Sequence, residues 1–191
     1  MNVSGVVGLA GFFALIIAAC MLGGDLDMFV HIPAIIIAVG VPIAASVTSF
    51  GGKNCLEAIK ALLVLISTRE PTANDRQIIF RLNKFIDHTY AAGIFGAGIG
   101  LVQSLANMDD PSKIGPAIAL SLISLIYVFL LAEGILRPAM QRLKNTLPER
   151  VWAESIDKNE AINHAQYLYI GMAIMITISI FFVLILSFST T

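Results

Sequence analysis

The chain has 191 residues, a formal net charge of −1, 57% hydrophobic residues and only 13% charged ones. A soluble domain is about a quarter charged, and a chain with no excess of positive charge has nothing to neutralise a run of phosphates. The composition therefore speaks against a soluble domain and against a nucleic-acid partner. Mean hydropathy is +0.84, which points to the bilayer.

In chain order, the first apolar run covers residues 6–22. It contains Ile17-Ala18-Ala19-Cys20, which looks like a lipoprotein cleavage box. A secretory signal needs a positive region ahead of its apolar stretch, and the first basic residue here is Lys53. The run is therefore read as a permanent span. Four more follow, at 32–50, 85–106, 116–136 and 167–188. Crossing about 30 Å of hydrocarbon takes about 20 apolar residues in a helix. Backbone groups in lipid must be satisfied within the segment, so each run is predicted helical; the short alternating strands of a barrel do not fit. The fold expected is all-α and polytopic, with five spans, short loops and small cytoplasmic helices.

Loop charge sets the orientation. Lys53, Lys60, Arg69, Arg76, Arg81 and Lys84 lie between spans two and three, and Arg137, Arg142, Lys144, Arg150 and Lys158 between spans four and five. Only Lys113 falls on the other side, beside Asp25, Asp27, Asp109 and Asp110. The positive-inside rule makes the basic side cytoplasmic, with the N-terminus inside and the C-terminus outside. Within the cytoplasmic segment 51–84, Leu56, Ile59, Leu62, Leu63 and Ile66 recur at helical spacing opposite Glu57 and Lys60. This predicts a helix that either continues span two or lies along the membrane surface. Pro71 breaks it, and Thr72 or Asn74 caps a helix leading through Ile78, Ile79 and Leu82 into span three. Past span four, Pro138 opens a basic helical turn and Pro148 starts another helix.

The sequence has no phosphate loop, no paired metal histidines and no nucleophile elbow, so neither an enzyme nor a cofactor is expected. His31, His88 and His164 fall in three separate contexts, as headgroup or cap contacts, and Cys20 and Cys55 read as free thiols. Ionisable residues inside spans are the better candidates. Glu133 stands four residues before Arg137, so an ion pair on one helix face competes with a proton-relay role; Asp87 and His88 begin span three at the same depth. Span three holds Gly93, Gly96, Gly98 and Gly100, with Gly96 and Gly100 a GxxxG pair that lets helices approach closely. Ser121 and Ser124 share one face of span four, either bonding back to the preceding turn or lining a wet path.

The order of these motifs resembles the MotA/TolQ/ExbB family of ion-driven motor subunits, on the side of its MotA stator branch. Span one ends in Leu22-Gly23-Gly24-Asp25-Leu26, followed by Ile32-Pro33 and then Ala38-Val39-Gly40 through Ser49-Phe50. Span three reads Gly93-Ile94-Phe95-Gly96-Ala97-Gly98-Ile99-Gly100-Leu101-Val102, then Leu105-Ala106-Asn107-Met108-Asp109-Asp110-Pro111. Span four opens with Ile114-Gly115-Pro116 and passes Tyr127 and Leu130-Leu131-Ala132 to Pro138. The likeness covers about residues 5–68 and 87–144, so residues 1–144 read as the family core and 145–191 as a cytoplasmic helix plus the fifth span.

The resemblance implies a pentameric ring around two helices of a single-span MotB/ExbD/TolR-like partner in the inner (cytoplasmic) membrane. The partner supplies a protonatable aspartate, and spans three and four line the ion path. Carried onto this chain, the wall falls on Ala97, Ser121, Ser124, Leu125 and Tyr127, helix approach on Gly93, Gly96 and Gly100, and a proton exit on Glu133. Several positions depart from the family pattern. The large cytoplasmic domain of flagellar stators is reduced to residues 51–84, and Tyr90 replaces a proline at the start of span three. Ala97 replaces the threonine of sodium-type members, which implies protons. Leu125 replaces a channel-facing threonine, just after Ser124. The fifth span is an addition, a peripheral brace anchored by Tyr167 and Tyr169. These departures keep a second reading open, a non-conducting scaffold with the family fold. A secondary transporter ranks third, because no inverted repeat or broken helix pair is visible.

Overall fold

A computed structural model describes residues 3–24, 26–65, 75–146, 169–174, 176–178 and 180. Among the described residues four helices are long and apolar enough to cross a membrane, matching expected spans one to four. They are α1 (Val3–Gly23), α2 (Ile32–Phe50), α4 (Asp75–Ala106) and α5, which starts at Pro111. A short helix α3 (Gly52–Ala61) follows α2 in the segment between spans two and three. The protein is an all-α, multi-pass membrane protein.

Helix ends follow local chemistry. Gly51 ends α2 with φ +82, a backbone region that penalises any Cβ. The chain turns there, so α3 does not continue span two. The face of α3 that packs inward matches the expectation only in part. Cys55, Ala58 and Ala61 are buried, while Leu56 and Leu63 are exposed. Small residues bring α3 close to the bundle, Ile59 and Leu62 pack half-buried against the core, and Leu56 and Leu63 turn outward. α5 begins five residues before the expected Pro116, because Pro111 fits the first turn and the Asp110 carboxylate caps it. That carboxylate accepts from the Ser112 N–H at 3.2 Å and the Ser112 hydroxyl at 2.6 Å. Together with Lys113, Ser112 holds the Asp110 carboxyl below the usual carboxylate range.

Two spans contain a π-helical turn, Ile36–Gly40 in α2 and Ala132–Leu136 in α5. Each stands just ahead of a proline, Pro42 and Pro138. Proline lacks the N–H that would bond four residues back, and its ring crowds that carbonyl. A wider turn relieves both conflicts without breaking the helix. Pro138 therefore does not open a separate helix as expected: α5 runs on through Arg137–Thr146. Pro71, Thr72, Asn74, Pro148, His164 and most of span 167–188 lie outside the described residues.

The core is the antiparallel pair α4 and α5, with α2 laid across it. The inner half is filled by Leu82, Phe85, Ile86, Tyr90, Leu136, Met140 and Leu143, closed by Cys55 and Ala58 of α3. Residues 169–174 and 176–178 are helical, as expected of a fifth span. A Cβ on Gly171 would approach Phe129, and Ile178 packs on Ile114 and Ile118, so this segment runs antiparallel to α5.

Candidate functional site

The glycines of α4 register against α5 one turn at a time. A Cβ on Gly100 would lie 2.2 Å from Ser121 Oγ and 2.6 Å from the Ala117 carbonyl. One on Gly96 would lie 2.6 Å from Ser124 Cβ, and one on Gly93 3.1 Å from Val128. Nothing stands within 4 Å of Gly98, which points away from this seam. The GxxxG pair thus packs on the serine face of α5, as its small-residue character predicts.

The wall residues transferred from the family fall mostly inside the subunit. Ala97, Ser121 and Ser124 are 0% exposed and Leu125 is 2% exposed. Ser121 donates across the seam to the Ala97 carbonyl at 3.0 Å, with a longer approach to Ala117 at 3.4 Å. Ser124 donates to the Leu120 carbonyl at 2.7 Å, the back-bond that serine makes in membranes. Tyr127 is half-buried, and its hydroxyl donates to the Phe29 carbonyl and accepts from the His31 N–H at 3.1 Å. It fastens the connection between spans one and two onto α5. The outward stripe of α4 is instead Phe95, Ile99 and Val102, whose spacing puts them on one helix face.

Next along the seam after Gly93 and Val128 come Tyr90 and Glu133. The buried Tyr90 hydroxyl donates to Glu133 Oε1 and accepts from Arg137 Nη2 at 3.4 Å. Arg137 Nε stands 3.0 Å from the other Glu133 oxygen, the expected pair at four-residue spacing. Phe129 packs edge-on against the Tyr90 ring, with centroids 5.9 Å apart. Glu133 also borders a groove of about 270 Å³ between α5 and α1, lined by Gly5, Gly8, Phe12 and Arg142. The π-turn supports this cluster, because it carries Glu133 and Gly134 and brings the carboxylate towards α4.

A second polar contact ties α2 to α4. His88 Nδ1 lies 3.0 Å from Ser46 Oγ, and Nε2 lies 3.4 Å from Ser49 Oγ. The expected headgroup or cap role holds in part: His31 caps α2 by position, while His88 bonds between helices. Among the described residues no group of three His, Cys, Asp or Glu side chains could hold a metal. The sequence reading missed Tyr90 as the partner of Glu133, 43 residues away. The available signal was register: pairing Gly96 with Ser124 and Gly93 with Val128 places Tyr90 opposite the turn that holds Glu133.

Comparison with known proteins places the chain in a family. The model of the MotA/TolQ/ExbB proton channel family matches residues 58–152, which include α4 and α5. Motility protein A of Aquifex aeolicus (strain VF5) is 23% identical, over 83% of this chain and 90% of its own length. Chemotaxis protein PomA of Vibrio alginolyticus is 26% identical, over 75% of this chain and 81% of its own. Motility protein A of Cereibacter sphaeroides is 40% identical, over 35% of this chain and 26% of its own. The Aquifex match runs over 228 positions, more than the 191 residues present here, so that relative has segments this chain lacks. The chain belongs to the MotA/TolQ/ExbB proton channel family, on its MotA-like branch.

Proposed function

We propose that this protein is a subunit of a proton-motive-force-driven motor or energiser. In this reading five copies form a ring in the inner membrane, around a MotB/ExbD/TolR-like partner dimer. One observation carries it. Residues 89–106 and 114–132 contain no charged side chain, yet α4 presents the stripe Phe95, Ile99 and Val102 outward. An ion path beside such a surface needs its titrating acid from another chain, and a single-span partner with a membrane aspartate supplies one. One charge crossing about 100 mV releases about 2.3 kcal/mol, and the ring uses it when protonation of that acid changes its contacts with the wall. Ala97, Ser121, Ser124 and Leu125 form a layer behind the stripe, with Tyr127 at its rim. Glu133 takes protons to the cytoplasmic side through the groove at α1. The N-terminus lies in the cytoplasm and the C-terminus outside, supported by the antiparallel course of residues 169–178.

The scaffold reading has its own support, since both serine hydroxyls are buried and already donate to backbone carbonyls. Native mass spectrometry of the complex in mild detergent, followed by proton flux in liposomes, separates the two. Five copies with two of a single-span partner, and flux reduced by Ser124→Ala with assembly kept, are the expected results. A ring without such a partner, or one without flux, sinks the motor reading in favour of the scaffold.

A further inference from the structure

At the inner end of the bundle is a pocket of about 520 Å³ that the seam does not use. Its apolar side is Phe50, the last residue of α2, with Ile79 and Phe80 of α4. Its polar side is Asn54, Arg76, Gln77 and Lys144. Arg81 also borders it, but that guanidinium is engaged by Glu57 at 2.7 Å and by the Gln77 carbonyl oxygen at 3.2 Å. Glu57 is thereby neutralised, and Gln77 keeps its amide N–H groups for another acceptor. Arg76 and Lys144 form no ion pair among the described residues. Among the described residues the pocket therefore holds two cations with no acidic partner beside the Gln77 amide, above an apolar wall in which Phe80 is 56% exposed.

Depth identifies the occupant. Span two ends at Phe50, which puts the apolar wall at the hydrocarbon boundary. Phe80 stands five residues before the expected entry of span three at Phe85, about 7.5 Å at 1.5 Å per residue. The polar headgroup layer extends roughly 5–8 Å beyond the hydrocarbon on each side. Arg76 and Lys144 stand nine and eight residues beyond the expected span ends at Phe85 and Leu136, about 13.5 and 12 Å along the helices. They line the same pocket as Phe50 and Phe80, so they close it from the aqueous side, on the face that carries the basic loops. A small soluble anion would have no use for Phe50 and Phe80, whereas an acyl glycerol would. We propose that this pocket binds an anionic phospholipid of the cytoplasmic leaflet, with its phosphate between Arg76 and Lys144 and its glycerol and upper acyl chains on Phe50 and Phe80. This is independent of ion conduction and holds for a motor or a scaffold.

The test uses the full chain in detergent, titrated with phosphatidylglycerol or phosphatidylcholine and followed by native mass spectrometry. Each basic residue near such a surface contributes about 1 kcal/mol, about five-fold in affinity, so Arg76→Gln with Lys144→Gln should weaken phosphatidylglycerol binding roughly thirty-fold. Arg76→Lys with Lys144→Arg should keep it, which guards against misfolding as the cause of a loss. Lys53→Gln with Lys60→Gln removes the same charge from α3 outside the pocket and should leave binding within about two-fold, because surface charge away from the site is screened. Equal binding of both lipids, or an equal loss in the α3 variant, would overturn the proposal in favour of diffuse attraction. Displacement of the lipid by millimolar inorganic phosphate would overturn it in favour of a free-anion site.

Discussion

α1 and the α4–α5 seam use the same residue type to opposite ends. α1 has glycines at positions 5, 8, 11 and 23, yet a Cβ on Gly8, Gly11 or Gly23 would meet nothing within 4 Å. On α4, glycines 93, 96 and 100 each face an α5 side chain at 3.1 Å or less. In its most apolar stretch α1 is 6% buried, against 44% for α4 and for α5. Apolarity explains none of this difference, because α1 is uncharged along its whole length. Lipid tails are as apolar as leucine, so helices associate in a membrane through shape and polar contacts. The seam has both, in glycine steps that accept serines and in the Tyr90–Glu133–Arg137 cluster. α1 has a hydrogen bond from Arg142 to Ser4 at 3.5 Å and Phe12 against Gly134.

The largest expected effect tests the seam directly. Gly100→Ala puts a Cβ against the Ser121 hydroxyl and against two backbone atoms of α5, the Ala117 carbonyl and the Ser121 nitrogen, which cannot swing away, and should destabilise the subunit by about 1–3 kcal/mol. Gly11→Ala and Gly98→Ala should stay within about 0.5 kcal/mol. Unfolding of the detergent-solubilised variants measures all three, and equal losses would erase the contrast between the helices. Next comes the polar rung. Tyr90→Phe should cost about 0.6–1.7 kcal/mol, the range for interhelical hydrogen bonds in membranes. Combined with Glu133→Ala the two losses should be less than additive; strict additivity would show that the pair is not coupled.

A smaller effect is expected where α1 touches α5. Gly134→Ala brings a Cβ to 2.3 Å from the Phe12 ring edge, but a ring at the end of its side chain can move. The loss should be below about 1 kcal/mol and vanish when Phe12→Ala is added. Persistence of the loss in the double variant would place the strain within α5 itself. The smallest signal concerns Cys55, buried on α3, where desolvation raises the thiol pKa above its ordinary 9.0. Folding therefore favours the protonated thiol. Its contribution is complete below about pH 9 and declines as pH rises through the folded-state value. Maleimide labelling of Cys55 at pH 8 should be slower in the folded protein than after denaturation; equal rates would mean the thiol is neither buried nor shifted.

The sequence made the spans legible because length and apolarity alone define them, and it made the Glu133–Arg137 pair legible because four residues along a helix is a local relation. The glycine face of α4 could be read for the same reason. Relations across the bundle were harder. Tyr90 looked only like a replaced proline, since nothing within a few residues of it points to Glu133. The inward face of α3 was legible only at Ile59 and Leu62, because leucine and isoleucine spacing marks what is apolar, while Cys55, Ala58 and Ala61 mark what fits. At Pro138 the usual expectation of a helix boundary failed because a π-turn absorbed the missing hydrogen bond. Ser121 and Ser124 were seen to share a face, but whether that face looked towards a neighbouring helix or outward depended on the register with Gly96 and Gly100.

The wide turn at Ala132–Leu136 also sets the phase of everything beyond it. A π-turn amounts to one extra residue in an otherwise α-helical run, and one residue is about 100° of rotation at 3.6 per turn. Removing a single residue from this turn would leave Ser121, Ser124 and Val128 seated on α4. It would swing Met140, Leu143 and Lys144 about a quarter-turn off their present bearings. The two halves of α5 are thus indexed separately, the N-terminal half by glycine steps and the C-terminal half by one inserted residue.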